Sequence, residues 1–265
     1  MIDSKTIRLL RPILINPARL VYWVLLLLAV ATLFGLYGFS QSKVVIDTVD
    51  LSWPNCNRLT KVQYSQAIIG VNGGLDYRPN LCSASEASLV ENYAVYVNSG
   101  NPGFPRIGLL GLGPLNCPDF KNLDCSSFNY GYQAAEYSIQ QANMAGLHSP
   151  MWWIDVESIN SWTLSEEANR ADIMGMIYAV RAIPLLTPIV GIYTAANQWY
   201  SEVGHWQNGL PLWLGTGSLT RVGAIEACHQ VSVTGGPIRL TQYTIDQLDY
   251  NYHCQARVGS KYLNG

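Results

Sequence analysis

The sequence predicts an α/β barrel of alternating strands and helices, preceded by one membrane-spanning helix. Three observations carry this. Short apolar segments rich in β-branched and aromatic residues recur after residue 45, and helical patterns lie between several of them. Seven such strands occur without a Gly-x-Gly-x-x-Gly turn, which favours a barrel over a dinucleotide-binding sheet. Acidic residues stand at or just beyond several strand ends, where barrels of this kind carry their reacting groups.

Residues 1–19 read as a cytoplasmic tail and Leu20 to Phe39 as the membrane segment. That run holds no charge and is long enough to cross about 30 Å of hydrocarbon. Lys5, Arg8, Arg11 and Arg19 precede it against one acid, Asp3, so the N-terminus is expected in the cytoplasm and the rest outside. A cleaved signal peptide fits less well, because Ala29-Val30-Ala31 falls inside the apolar run rather than after it. Residues 40–44 form a linker and residues 45–265 the barrel domain.

Strands are expected at Val45–Asp50, Ala67–Val71, Ala94–Asn98, Met151–Val156, Pro188–Tyr193, Leu212–Gly215 and Ile238–Tyr243. Ser83-x-x-Glu86 is a capping-box pattern that should open a helix to about Tyr93. Tyr132 to Ala145 has apolar residues at helical spacing. Thr163-x-x-Glu166 opens another helix, which should run to about Ala182 before Pro184. Glycines and Pro237 crowd the stretch from Leu212 to Tyr243, so the C-terminal part should be irregular and strand-rich, without full helices.

The formal charge of -2 excludes the strongly basic balance of a nucleic-acid binder. A hydrophobic fraction of 49% against 13% charged excludes a disordered chain. All six cysteines follow the membrane segment, as disulfides in an exported domain would. Closeness in sequence favours Cys117 with Cys125 and Cys228 with Cys254, which leaves Cys56 with Cys82. His229 and His253 adjoin two cysteines, but no Cys-x-x-Cys spacing exists, so neither a metal nor a cofactor is expected. Gly70-Val-Asn-Gly-Gly74 lacks the Lys of a phosphate-binding loop, and no Gly-x-Ser-x-Gly elbow is present.

Trp152-Trp153-Ile154-Asp155-Val156-Glu157 is the most informative segment. Alternation along a strand sends Asp155 and Glu157 to one face, where mutual repulsion favours one of them keeping its proton. A proton-holding acid beside an ionised partner suits cleavage of a glycosidic bond. Asp50 and Asp249, near the first and last strands, would join them at one mouth. Taken alone, either could be a turn residue.

Thr48-Val-Asp50-Leu-Ser52, then Trp153-Ile-Asp155-Val-Glu157, Gly191-Ile-Tyr193-Thr194, Leu212-Trp213-Leu214 and Gln242-Tyr243 ahead of Leu248-Asp249-Tyr250-Asn251 resemble the family-25 glycoside hydrolases. The resemblance implies a flattened TIM-like barrel and lysozyme-like action on peptidoglycan from the outer face of a membrane. It implies Glu157 as proton donor and Asp155 as the group that stabilises charge at the substrate, whose own acetamido group performs the displacement. Asp50 and Asp249 would shape the acidic floor. Tyr193, Trp213, Gln242 and Tyr243 would stack on or hydrogen-bond to sugar. The opening departs from the family's Gly-Ile-Asp-Val-Ser, and Thr241 stands where a Trp usually precedes Gln-Tyr. Ser52-Trp-Pro-Asn-Cys56, Asn101-Pro-Gly103 and Asn160-Ser-Trp162 resemble a divergent, exported bacterial branch of lysozyme-like barrels. The departures carry the alternative expectation of a wall-binding or scaffold module without turnover.

Overall fold

A computed structural model describes residues 47–56, 64–103, 113–118, 122–184 and 187–254. The chain divides into two units, Met1–Val45 and Ile46–Gly265, and the described residues lie in the second. The expected tail, membrane segment and linker fall outside them. No helix among the described residues is long and apolar enough to cross a membrane.

Eight strands close into a barrel in sequence order among these residues: β1 Thr48–Leu51, β2 Tyr64–Gly70, β3 Val90–Asn98, β4 Met151–Asp155, β5 Ile189–Thr194, β6 Leu212–Ser218, β7 Ile238–Ile245 and β8 Leu248–His253. β1 to β7 pair in parallel. β8 runs antiparallel to both β7 and β1. The sequence reading had seven strands and missed β8. Its signal is hidden because a two-residue turn at Asp246 and Gln247, both with positive φ (51° and 63°), folds the chain straight back. That is the geometry of a tight hairpin, but the pair lacks the glycine that usually announces one.

Side chains alternate between two apolar layers. Val49, Leu51, Ile69, Val95, Val97, Trp152, Ile154, Ile192 and Leu212 face outward and are buried under the helices. Ile68, Tyr96, Trp153, Trp213 and Leu240 fill the interior. The interior works only if large and small residues alternate around it. Gly70, Tyr96, Trp153 and Gly191 are successive register partners across β2, β3, β4 and β5. A Cβ on Gly191 would stand 2.3 Å from the Trp153 ring, so the indole occupies the room that glycine leaves.

The helices are α1 Ser83–Ala87, α2 Leu123–Met144, α3 Glu166–Arg181, α4 Ala196–Val203 and α5 Arg221–Ala227. α1 is far shorter than the expected run to Tyr93, because Val90 onward pairs with β2 as strand. Glu86 does not complete a capping box. It is buried and accepts a hydrogen bond from Asn80 Nδ2 at 2.9 Å. α3 is capped by Ser165, whose Oγ accepts from Ala168 N at 3.2 Å, rather than by Thr163, which bonds to Asn169. α2 begins earlier than expected, at an Asn122 cap. α5 lies in the stretch expected to lack helix, capped by Thr220. Disulfides join Cys56–Cys82, Cys117–Cys125 and Cys228–Cys254.

Replacing Gly191 with Ala should overpack the interior and cost about 1–3 kcal/mol. Chemical denaturation of the two proteins should show a lower midpoint for Gly191→Ala with an unchanged slope.

Candidate active site

In a parallel barrel every strand delivers its last residues to one rim. β1 ends with Asp50 and Leu51, β4 ends with Asp155, and Glu157 follows two residues on. β8 runs the other way, so its first residues reach that same rim. This explains Asp249, which belongs to β8 rather than to a turn after the last strand, and pairs with Thr244 across the hairpin.

The four acids meet there. Burial pushes the Asp50 carboxyl well above its ordinary range, and Asp249 and Glu157 push it further. Burial does the same to Asp155, reinforced by Glu157 and Asp50. Glu157 is raised by burial and by Asp249. Tyr193 stands among all four, and its hydroxyl is held protonated by burial and by their combined charge. Among the described residues, no ion pair engages any of the four. The cost of crowding is therefore met by a raised proton affinity at Asp50, Asp155 and Glu157 rather than by a paired cation.

Asp155, Asp50 and Asp249 are each oriented by a neutral partner. Asn98 Nδ2 donates to Asp155 Oδ2. Asn98 is itself fixed by Asn72, whose Oδ1 accepts from Asn98 N at 2.9 Å and whose Nδ2 donates to Asn98 O at 2.9 Å. Asp155 is 3% exposed, and its Oδ1 is buried with no hydrogen-bond partner. Asp50 Oδ2 accepts from Gln242 Nε2 at 3.3 Å, and Gln242 Oε1 accepts from the Tyr193 hydroxyl at 2.7 Å. Thr244 Oγ1 donates to Asp249 Oδ1 at 2.5 Å. The loop carrying Glu157 is pinned by Trp162 Nε1, which donates to Glu157 O at 2.8 Å.

Two sugar-contacting expectations are corrected. Trp213 is 1% exposed inside the barrel, packed against Tyr193 and Trp153, with its indole N–H donating to Asn251 Oδ1 at 2.7 Å. It shapes the floor and offers no face to a ligand. Tyr243 points out of the barrel. Its hydroxyl donates to Asp47 Oδ2 at 2.7 Å, where Arg221 also pairs with Asp47 at 2.6 Å. Period-two alternation separates Tyr243 from its neighbour Gln242, which does face inward. Asn98 and Asn72 were missed. The only hint in the sequence is that Asn98 ends a strand beside the one that ends at Asp155.

A further set of buried acids lies outside this group. Tyr130 donates to Asp76 Oδ2 at 3.0 Å. Asp172, fully buried on α3, has neither carboxyl oxygen hydrogen-bonded. Burial, with Asp76 nearby, raises it. Among the described residues no group of three His, Cys, Asp or Glu side chains is arranged to hold a metal ion.

A family model described as "Lysozyme-like protein 1" matches residues 120–218. That span includes Asp155 and Glu157 but neither Asp50 nor Asp249. A bacterial lysozyme from Streptomyces coelicolor aligns with 80% of this chain and 93% of its own, at 17% identity and a TM-score of 0.50. GHIP, a glycosyl hydrolase 25 of Streptococcus pneumoniae, aligns over 78% of this chain and 86% of its own, at 16% identity and a TM-score of 0.46. The CTP1L endolysin gives 10% identity and a TM-score of 0.49, over 78% of this chain and 66% of its own. This chain thus spans just under two thirds of that endolysin. No curated protein matches. The barrel is lysozyme-like in fold, as the sequence resemblance implied.

Burial pushes Asp76 and Glu86 each up to about 7, from ordinary values of 3.8 and 4.5. The folded chain therefore keeps protons that the unfolded chain releases. The stability these groups contribute is fully present below about pH 4 and is lost as pH rises through about 7. Thermal melts should show Tm falling across that window, and the fall should be shallower in the Asp76→Asn, Glu86→Gln double variant.

Proposed function

We propose that this chain is a membrane-tethered, lysozyme-type glycoside hydrolase that cleaves the glycan of peptidoglycan outside the cell. The observation that carries this reading is the meeting of four carboxyl groups at one rim of a lysozyme-like barrel, none of them in an ion pair among the described residues. Such a group can divide into a proton donor and charge-stabilising partners at neutral pH.

In the reaction, Glu157 holds its proton because it is half-buried beside Asp249. It gives that proton to the glycosidic oxygen as the bond to the anomeric carbon breaks. The substrate's acetamido oxygen attacks that carbon from the opposite face and closes a five-membered ring. Asp155, held beside Glu157 by Asn98, stabilises the positive charge that develops on the acetamido group. Water then opens the ring and yields its proton to Glu157, which restores the starting state with retention at carbon one. Asp50 and Asp249 keep the floor acidic, and Tyr193 and Gln242 tie Asp50 to β5 and β7. Asn98 is a positioning residue. Its Nδ2 donates to Oδ2 of Asp155 and fixes the orientation of that carboxyl.

The tether is residues 20–39, oriented by the basic residues that precede them. In intact cells, protease added outside should degrade the domain after residue 45, while a tag at the N-terminus stays protected. Digestion of the tag would overturn this topology.

Release of reducing ends from purified peptidoglycan tests the chemistry. Glu157→Gln should lower kcat by roughly 100-fold or more, the usual contribution of a general acid, with little change in KM. Asn98→Ala should lower kcat less and move the acidic limb of the pH profile to higher pH, because Asp155 loses the hydrogen bond that favours its anion. Equal rates for wild type and Glu157→Gln would remove Glu157 from the mechanism.

A further inference from the structure

Three residues beyond Asp50 the chain leaves the barrel rim through a short 3-10 turn, Trp53–Asn55. Trp53 is 47% exposed, unusual for so large an apolar ring. It is not loosely held. Asn55 N donates to Ser52 O at 2.7 Å, and Asn55 Oδ1 accepts from Ser52 N at 2.9 Å. The Ser52 side chain hydrogen-bonds with Tyr96 of the barrel interior. The edge of the indole lies against Gly74, where an added Cβ would stand 3.0 Å from Nε1.

The loop after β2 supplies the second half. The Arg78 guanidinium lies over the Trp53 ring, 5.6 Å from its centroid. Arg78 is exposed and forms no ion pair among the described residues. Its backbone is fixed: Gly73 N donates to Arg78 O at 2.7 Å, and Asn72 bridges to Pro79. The neighbouring Tyr77 donates to Tyr130 O at 3.4 Å, which holds the loop on α2. Cys56–Cys82 then staples the Trp53 segment to the Arg78 loop. Two loops are thus locked together at the barrel end where parallel β1 and β2 finish, and together they present an aromatic ring and a guanidinium that forms no ion pair among the described residues.

An exposed aromatic held rigid by three kinds of restraint is a preorganised surface. An indole stacks on the C–H face of a sugar, and a guanidinium grips a carboxylate through two N–H donors. A cation on that end of the barrel also offers charge complementary to an anionic substrate. We infer that Trp53 and Arg78 form a glycan subsite selective for sugars bearing a carboxylate on or beside the ring. The inference rests on the reading of the rim as a glycan-cleaving site and names the substrate feature recognised next to it.

The test uses the full-length chain in detergent with Glu157→Gln, so that bound glycan stays uncut. Calorimetric titration compares four ligands: peptide-free peptidoglycan glycan with its lactyl carboxylates free, the same glycan amidated, an N-acetylglucosamine oligomer, and a uronic-acid oligosaccharide. Arg78→Ala should weaken binding of a carboxylate-bearing glycan about tenfold, as loss of a charged hydrogen bond predicts, and leave the amidated glycan unaffected. Arg78→Lys should recover part of the loss. Trp53→Ala should weaken all bound glycans, and Trp53→Phe should restore them. The lactyl and uronic arms tell which carboxylate is read. Matching thermal melts and disulfide content separate loss of the subsite from loss of the fold. Unchanged affinity of Arg78→Ala for both carboxylate-bearing ligands overturns the subsite, even if wild type releases reducing ends. No binding of any ligand overturns it as well. Arg78-dependent binding without any hydrolysis by wild type supports the subsite and removes the hydrolase reading instead.

Discussion

Four carboxyl groups share one barrel rim with no basic side chain paired to any of them among the described residues, and the surrounding architecture is arranged to make that tolerable. Like charges in a partly dry site repel strongly, so protons are retained where charge would otherwise accumulate. Neutral donors orient the acids: Asn98 for Asp155, Gln242 for Asp50 and Thr244 for Asp249. An amide or hydroxyl fixes a carboxyl without neutralising it, which leaves the acid free for chemistry. A lysine or arginine in those positions would stabilise the fold and hold the acids in their charged form.

Closure of the barrel is what brings the four together. Seven parallel strands would deliver acids only at their C-terminal ends. The antiparallel eighth strand turns its start toward the same rim, and Asp249 comes with it. The same closure sets the depth of the floor. Trp153 and Trp213 pack against each other in the interior, and Gly191 yields the space for one of them. The apolar floor limits water beneath the acids and sustains the raised proton affinity of Asp50, Asp155 and Glu157. Packing and proton chemistry here are one constraint seen at two levels.

Some of this was legible along the chain. The apolar run ending in Asp155 and Glu157 identifies a strand and its chemistry together, because alternation and burial follow from residue type alone. The disulfide pairs follow from proximity in sequence. Other features failed for identifiable reasons. Ser83-x-x-Glu86 has the pattern of a helix start, but the edge of β2 captures the chain from Val90, and pairing overrides local preference. Trp213 carries no mark distinguishing an aromatic that fills a barrel from one that lines a groove. Tyr243 and Gln242 are adjacent, and only the barrel's curvature decides which looks inward.

The sequence by itself determined the alternation of strand and helix, the acids at strand ends and the disulfide pairing of the domain, since each depends on side-chain type and spacing along the chain. Only the tertiary structure decided that β8 turns back to bring Asp249 to the rim, that Asn98 reaches Asp155 across 57 positions of chain, and that Trp53 rather than Trp213 faces outward. Those outcomes depend on which distant segments close the barrel, and burial and pairing of that kind are properties of the assembled whole rather than of any short stretch.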